Sequence, residues 1–402
     1  MPDTPLAPVI HGNVPGSFAR SVLAERHPAL IEKVRAAFPY GPEQHRALDA
    51  LLRNTADGVI EPLGDGAHDR ERWDAWGSEW FGASWFDAPF LWAESYFYRQ
   101  LLGAVGYFGD SGEFGEFAEG DGVWRGVDPF WPFKQAELDT PETDAELGAV
   151  DRLASVSVAE RERGLLLGSL WGNRADLGFR VTADGAEPGA DTQLVADDSD
   201  AFWAALPPGG GATVSLVADN AGRELLADLL LVDHLLAHGR AARVIVQLKP
   251  YPYYVSDAMT ADVVDCVRRL TRASGAAAEA GGRIWAAMGE GRITLRAHPF
   301  SCAPLPYVDM PDDLRAEFAA TTLTVLKGDL NYRRLVGDHL WEPTTSFAER
   351  AAYWPTPVVA LRTLKCDVIT GLQPSVLNAL DAAEPHQKWR VSGAHALVQA
   401  RM

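Results

Sequence analysis

The sequence is poor in cysteine and in basic residues. Its three cysteines, Cys266, Cys302 and Cys366, are scattered and lack metal-ligand spacing. They indicate no disulfide framework and predict a reducing, cytoplasmic setting. Lysine and arginine number 36 against 55 aspartates and glutamates, which gives a formal net charge of −19. Because the electrostatic field of this negative charge opposes attraction to nucleic-acid phosphates and to anionic membranes, we expect neither as a partner.

Long apolar runs are also missing. Residues 1–20 lack a basic stretch followed by an apolar one, which argues against a secretory signal. The most apolar stretch, 225–236, contains Asp228 and Asp233 and is too short to cross a bilayer. What the chain does have is a hydrophobic content of 47% over 402 residues. It can therefore bury a large core and is long enough for about two domains.

The two halves of the chain have different patterns. Helical apolar spacing over 17–37 and 44–54, followed by an aromatic segment at 89–107, predicts a mainly α-helical N-terminal domain. Between 182 and 211 the composition shifts to Ala, Asp, Gly and Pro, which indicates a boundary. We therefore predict a helical domain over 1–180 and a second domain over 181–402.

Beyond residue 211, short β-branched runs alternate with helical patterns at 223–238 and 261–288. Such alternation predicts a Rossmann-like, three-layer α/β/α fold with a mostly parallel sheet and a functional site at the carboxyl ends of the strands. The predicted strands are 213–218, 244–248, 293–297, 322–326 and, last, 358–361.

Oxygen-bearing side chains follow the first two predicted strands. Asp219 and Asn220 come directly after the first strand, and Asp257 stands after the second, just before a helical pattern. If the two strands are neighbours, the three side chains converge on one crevice, and such oxygen donors suit Mg²⁺ or Mn²⁺. The alternative is that these residues form turns and cap the following helices.

Cations follow the later strands. The segment Lys327-Gly328-Asp329-Leu330-Asn331-Tyr332-Arg333 combines a flexible glycine with two cations and the start of a helix, an arrangement that can approach an anion closely. In Arg362-Thr363-Leu364-Lys365, strand alternation directs Thr363 and Lys365 to one side and Arg362 to the other. These cations either contact a phosphate or form salt bridges with carboxylates.

Together these strand ends, ADNAG, YVSD, KGDLNYR and LRTLK, resemble the metal-dependent damage-control phosphatases. Within this family, the sequence looks most like the subfamily with the acidic-residue methyltransferase-like domain. The resemblance spans about residues 17–372. Three segments of the helical half match as well: WAESYFYR at 92–99, DPF at 128–130 and LWGNRADL at 170–177. Gly178 departs from the Ser-like residue expected there, which concerns local contacts only.

The resemblance implies a phosphatase that acts on small phosphorylated metabolites with Mn²⁺, Co²⁺, Ni²⁺ or Mg²⁺. Asp219, Asn220 and Asp257 would bind the metal, and Lys365 would contact the phosphate. We expect further substrate contacts from the cations of the later strands and from caps in the helical half. These residues are Lys327, Asp329, Asn331, Arg333, Arg362, Glu224, Glu94 and Asn173.

The implied mechanism is metal-assisted in-line attack by water, with Asp219 or Asp257 as the general base. A phosphoaspartate route needs a second aspartate two positions after Asp219, where this sequence has Ala221. An S-adenosylmethionine-dependent carboxyl methyltransferase is the main alternative, although ADNAG supplies one glycine where such a cofactor usually meets several. A non-enzymatic sugar-phosphate-binding protein is the third. The natural substrate and the oligomeric state stay open.

Overall fold

A seven-stranded sheet forms the centre of the computed structural model, which describes residues 7–109, 122–172 and 194–402. The strand order is β1-β7-β6-β5-β2-β3-β4, and every neighbouring pair is parallel except β6 and β7. The strands are β1 (Leu194–Asp197), β2 (Thr213–Val217), β3 (Arg243–Leu248), β4 (Ile293–Ala297), β5 (Leu323–Lys327), β6 (Val358–Thr363) and β7 (Ala396–Arg401).

The five strands predicted from β-branched runs are all present. β5 and β6 are buried along their whole length, which is why neither shows a regular alternation of apolar and polar residues. The expectation that 358–361 is the last strand is wrong, because β7 follows it and pairs antiparallel with β6. β1 was missed too, since four residues are too few to show a period.

Helices precede the sheet in the chain, as the apolar spacing predicted. Within residues 18–37 the helix includes a π-helical turn at Val22–Arg26. The α-helices of this part are Phe18–Ser21, His27–Ala37, Pro42–Asp57, Arg70–Gly77, Phe90–Ala104, Trp131–Leu138, Pro141–Ser155 and Val158–Trp171.

Further helices connect the strands. The predicted single helix over 261–288 is two helices, because Gly275, with a φ of +59°, interrupts it. None of the helices in the described ranges combines the length and apolarity needed to span a bilayer. The connecting helices are Ser199–Ala204, Arg223–Ala237, Thr260–Thr271, Gly275–Gly289, Asp312–Ala319, Gly328–Val336, Phe347–Arg350 and Pro374–Ala383.

Two apolar cores lie on the two faces of the sheet. One joins the first helices, including Trp73 and Phe97, to sheet residues such as Val358 and Leu397. The other packs helices Val158–Trp171 and Arg223–Ala237 against the opposite face. Helix, sheet and helix thus form three layers, which confirms the predicted fold. The predicted domain boundary near residue 180 lies outside the described residues, so the division into two domains stays a prediction.

Candidate metal and phosphate site

The predicted site residues follow neighbouring strands. β2 pairs with β3 on one side and with β5 on the other, and β5 pairs with β6. The carboxyl ends of these four strands therefore lie in a row. The chain passes from β2 to β3 and β4 on one side and then returns to β5 on the other side of β2. The strand order therefore reverses between β2 and β5, and ligands bind at such points in open parallel sheets.

Backbone hydrogen bonds join the loops that carry Asp219, Asn220 and Asp257. The amide of Ala258 donates to the carbonyl of Asp219 at 2.8 Å, and the amide of Ala221 donates to the carbonyl of Ser256 at 2.6 Å. Asn220 and Asp257 form an isolated antiparallel bridge between these bonds. The three predicted metal ligands, 38 positions apart at most in sequence, are thus neighbours in space.

The Asn220 side chain links two carboxylates. Its Nδ2 donates to Oδ2 of Asp219 and to Oε2 of Glu224, both at 2.8 Å. Its Oδ1 accepts a hydrogen bond from the hydroxyl of Ser256. The amide nitrogen therefore occupies the position between two carboxylates at which positive charge is most favourable.

Negative charge is concentrated at this point of the structure. Burial raises the pKa of Asp219 well above its usual range, the charges of Glu224 and Asp257 raise it further, and Lys365 and Lys249 offset part of the effect. Burial also raises the pKa of Asp257, with Lys249 again opposing. Removing several carboxylates from water without full compensation is unfavourable, so the cluster favours a bound cation.

A cavity of about 150 Å³ opens beside the cluster. Lys365 is exposed at this cavity, and no ion pair joins it to any residue of the described ranges. Gly328 has a φ of +80°, and a Cβ at this position would lie 1.8 Å from Oδ2 of Asp219. Only glycine allows the backbone to come this close to the carboxylate. The lining residues are Leu170, Trp171, Asp219, Glu224, Gly328, Thr363 and Lys365.

The donor set fits a divalent cation. Within 7–109, 122–172 and 194–402, no three His, Cys, Asp or Glu side chains are grouped so that they could hold a metal ion. The available set is two carboxylates and one amide, all with oxygen donors, which hard cations such as Mg²⁺ and Mn²⁺ prefer. Coordination through Oδ1 of Asn220 requires its amide to turn over, a change that leaves its nitrogen able to face Ser256.

Lys327 lies beneath the cavity and does not line it. Its Nζ contacts Asp228 at 2.8 Å and Glu224 at 3.2 Å and donates to the carbonyl of Ser169. The ammonium is buried, and although burial alone would lower its pKa, Asp228 and Glu224 raise the pKa above its usual value. Lys327 therefore fixes the position of Glu224 from below.

Arg362 is paired with Asp329. The Nη2 atom of Arg362 lies 2.8 Å from Oδ1 of Asp329, and the guanidinium stacks over Tyr332. Burial alone would raise the pKa of Asp329, but Arg362 and Arg333 outweigh it and hold the pKa below its usual range. Lys365 and Thr363 face the cavity and Arg362 does not, as strand alternation predicts.

Arg333 and Asn331 also belong to buried networks. Arg333 contacts Asp338 at 2.7 Å and Glu94 at 3.0 Å, so the predicted cap residue Glu94 is joined to the sheet through it. Nδ2 of Asn331 donates to the carbonyls of Lys327 and Ala218, which ties the ends of β5 and β2 together. Asn173 lies outside the described residues.

Some residues that shape the site were not predicted from sequence. Trp171 and Leu170 close the cavity from the helical part. Gly328 was expected from the sequence to allow close approach of an anionic ligand, and in the structure its backbone approaches the carboxylate of Asp219. Lys249 lies 4.0 Å from Oδ2 of Asp257. A lysine directly after a buried strand was the available signal for Lys249, because such a position places a cation beside the next loop.

An anionic cluster of oxygen donors facing a lysine, at the carboxyl edge of a parallel α/β sheet, is the arrangement of a metal-assisted phosphate hydrolase. Comparison with known proteins narrows this class. The chain belongs to the damage-control phosphatase ARMT1-like domain family, whose model matches residues 22–379. This confirms the resemblance seen in the sequence and the prediction of a metal-dependent hydrolase of phosphate esters. Methyl transfer and a purely binding role are not favoured.

Similar proteins match almost the whole chain. Damage-control phosphatase ARMT1 of Danio rerio is 30% identical over 430 residues, which cover 96% of this chain and 94% of that protein. The Mus musculus protein of the same name is 29% identical and covers 96% of each chain. A solved DUF89 family protein from Pyrococcus horikoshii is 14% identical over 96% of this chain and 98% of its own, with a TM-score of 0.48.

Proposed function

We propose that the protein hydrolyses phosphate monoesters of small metabolites, either sugar phosphates or damaged phosphometabolites, at the cavity beside β2. Asp219, Asn220 and Asp257 would hold one divalent cation. The observation that carries the proposal is that the charges of Glu224 and Asp257 both raise the pKa of Asp219, while Lys365 faces the same cavity and forms no ion pair within the described ranges. A divalent cation would offset the carboxylates, and the phosphate of a substrate would pair with the ammonium of Lys365.

Each part of the site has a distinct chemical task in this proposal. A divalent cation, when bound, supplies Lewis acidity toward a phosphoryl oxygen. The ammonium of Lys365 stabilises negative charge on the transferring phosphoryl group, because it faces the same cavity. Asp219 or Asp257 accepts the proton of the attacking water, since both are buried carboxylates with raised pKa values.

Glu224 lines the cavity while Lys327 and Asn220 hold it, so we assign it to orienting the substrate or the water. Asn331 and Lys327 set the position of the loops and of Glu224. A direct contact with substrate stays a prediction for the residues taken from the sequence that do not line the cavity. These residues are Lys327, Asp329, Asn331, Arg333, Arg362, Glu94 and Asn173.

The identity of the cation is part of the proposal. Mn²⁺, Co²⁺, Ni²⁺ and Mg²⁺ all accept oxygen ligands, and the donor set contains no sulfur or imidazole that would select among them. A cytoplasmic location likewise stays a prediction. It is supported by Cys266, Cys302 and Cys366, which are buried and unpaired.

A chelation experiment tests the proposal. The purified protein is treated with EDTA, dialysed, and assayed for phosphate release from an aryl phosphate and a panel of phosphorylated metabolites. We expect loss of turnover after chelation and recovery on addition of Mn²⁺, Co²⁺, Ni²⁺ or Mg²⁺, because the carboxylates alone cannot offset charge on the phosphoryl group. Turnover that persists in fully stripped protein contradicts the proposal.

The same experiment separates the alternatives. A carboxyl methyltransferase would consume S-adenosylmethionine and release no phosphate, and a binding protein would bind sugar phosphates with or without metal. Turnover that depends on metal is expected of the phosphatase alone.

A further inference from the structure

Lys134 is a buried cation that the proposed mechanism does not use. It lies in helix Trp131–Leu138 of the helical part, and its side chain is 2% exposed. Its Nζ donates three hydrogen bonds, to Oδ2 of Asp128 at 2.9 Å, to Oδ2 of Asp262 at 3.0 Å and to the backbone carbonyl of Asp257 at 2.8 Å. An ammonium has three donors, so all of them are used.

The three acceptors come from different parts of the chain. Asp128 precedes the helix that carries Lys134, and its Oδ1 accepts from the amide of Phe130. Asp262 lies in the first turn of helix Thr260–Thr271, where it also accepts from the amide of Met259 at 2.8 Å. Asp257 belongs to the candidate metal site. One side chain thus connects the helical part, the start of a helix after β3, and a candidate metal ligand.

The bond to Asp257 is made at its backbone, so it acts on position and not on donor chemistry. The carboxylate of Asp257 is left to accept from the amide of Tyr254 at 3.0 Å and to face Lys249. A hydrogen bond from a buried ammonium to a carbonyl is charge-assisted and stronger than a neutral one. Lys134 therefore restrains the main chain at the residue whose carboxylate must meet Asp219.

The same loop is held by the helical part at a second point. The ring of Tyr254 stacks on Tyr98 with a centroid distance of 4.6 Å. Its hydroxyl lies 3.2 Å from the hydroxyl of Ser95 and 3.3 Å from Oε2 of Glu94. Tyr254 fixes the loop three residues before Asp257, whereas Lys134 fixes it at Asp257 itself. The position of Asp257, a proposed metal ligand, is thus set by residues of the helical part and not by the sheet alone.

We propose that Lys134 is a positioning residue for the metal site: its ammonium holds the Asp257 backbone so that the Asp257 carboxylate is set to share a cation with Asp219 and Asn220. The inference rests on the proposed function, because it assumes that Asp257 binds the metal. Loss of an outer contact of this kind typically lowers metal affinity by about 10- to 100-fold. Turnover at saturating metal changes far less, since Lys134 is not among the residues that line the cavity.

The test compares Lys134→Met with wild type by electron paramagnetic resonance, which reports free Mn²⁺ and therefore binding without any turnover. We expect the Mn²⁺ dissociation constant to rise by about 10- to 100-fold. In parallel, the Mn²⁺ concentration needed for half-maximal phosphate release rises by the same factor, while kcat at saturating Mn²⁺ stays within a few-fold of wild type.

Arg240→Met is the matched control. Arg240 is another largely buried cation with several acceptors: Glu162 at 2.6 Å and the carbonyls of Trp203 and Leu206. It lies just before β3, at the amino ends of the strands and so at the end of the sheet opposite to the site. Its replacement lowers the melting temperature but leaves Mn²⁺ affinity unchanged. Lys134→Met and Arg240→Met are compared at similar loss of stability, so that general destabilisation is separated from the effect on the metal site.

Lys134→Gln provides a second variant if Lys134→Met does not fold. Glutamine retains an amide donor for Asp128 but is too short to reach the Asp257 carbonyl at the same time, so the same loss of Mn²⁺ affinity is expected. Unchanged Mn²⁺ affinity in the variant that folds overturns the inference, as does a lowered kcat with unchanged affinity. If wild-type protein itself neither binds Mn²⁺ nor releases phosphate, the proposed function fails first, and the two failures are thereby distinguished.

Discussion

Two groups of cations at the carboxyl edge of the sheet differ in what neutralises them. Lys327, Arg333 and Arg362 are buried, and each contacts at least one carboxylate within 3.2 Å. Lys365 is exposed at the cavity, and within the described ranges no carboxylate pairs with it. All four follow or end β5 and β6, so sequence position alone does not distinguish them. Cations that are already paired hold the site together, whereas the unpaired one is available to an anionic ligand.

The largest expected effect comes from Asp219, which lines the same cavity as the unpaired Lys365. Asp219→Asn removes a proposed metal ligand, so turnover falls by about 10²- to 10³-fold, the range for loss of one electrostatic contact to a transition state. Stability does not fall, because the substitution removes repulsion from Glu224 and Asp257. Steady-state kinetics at saturating metal and a thermal melt check both statements. Full activity in the variant would remove Asp219 from the site.

The buried group is tested next through Lys327. Lys327→Met leaves Asp228 buried without its cation, and breaking a buried pair in this way lowers the free energy of unfolding by about 3 kcal/mol. Urea denaturation measures the change. A loss of activity without a loss of stability would contradict the distinction, since it would place Lys327 among the residues that act on substrate.

Lys365→Met is the complementary change. Because Lys365 is exposed, the free energy of unfolding of the Lys365→Met variant stays near that of wild type. The kcat/KM of this variant for phosphate esters falls by about 10²-fold, since one cation facing the transferring phosphoryl group is lost. The two lysine variants should thus show opposite patterns. Equal effects of both variants on stability and on kcat/KM would remove the difference between the two groups.

The smallest effect is the pH dependence of the Arg362–Asp329 pair. The pKa of Asp329 is below its usual range in the folded protein, so its ionised form is bound more tightly there than in the unfolded chain. The stabilisation is present above the unfolded pKa of about 3.9 and is lost as pH falls through the lower folded pKa. The difference in unfolding free energy between wild type and Asp329→Asn therefore shrinks below about pH 4. A difference that grows on acidification contradicts the assignment.

Much of the fold follows from the sequence because β2 to β6 are marked by β-branched runs with helical periods between them. β1 and β7 were missed for physical reasons. β1 has four residues, which are too few to show a period. β7 forms a strand through antiparallel pairing with β6, a tertiary contact that local patterns do not encode. The break at Gly275 within the predicted helix 261–288 depends on a positive φ, which glycine permits but does not require.

The site follows from the sequence only in part. The placement of Asp219, Asn220 and Asp257 side by side was predictable, because each follows a strand and the two strands are neighbours. The pairing of Arg362 with Asp329 and the burial of Lys327 were not, since salt bridges between distant segments depend on packing. Lys134 lies in the helical part, 123 positions before Asp257, and no local pattern connects the two.

Diffraction from crystals grown with Mn²⁺, recorded at a wavelength at which manganese scatters anomalously, tests the central claim most directly. The account predicts one strong anomalous peak within coordinating distance of the Asp219 and Asp257 carboxylates, with the amide oxygen of Asn220 turned toward it. A peak bound elsewhere on the protein, or an Asp219–Asp257 crevice that stays without a peak at saturating Mn²⁺, would contradict it.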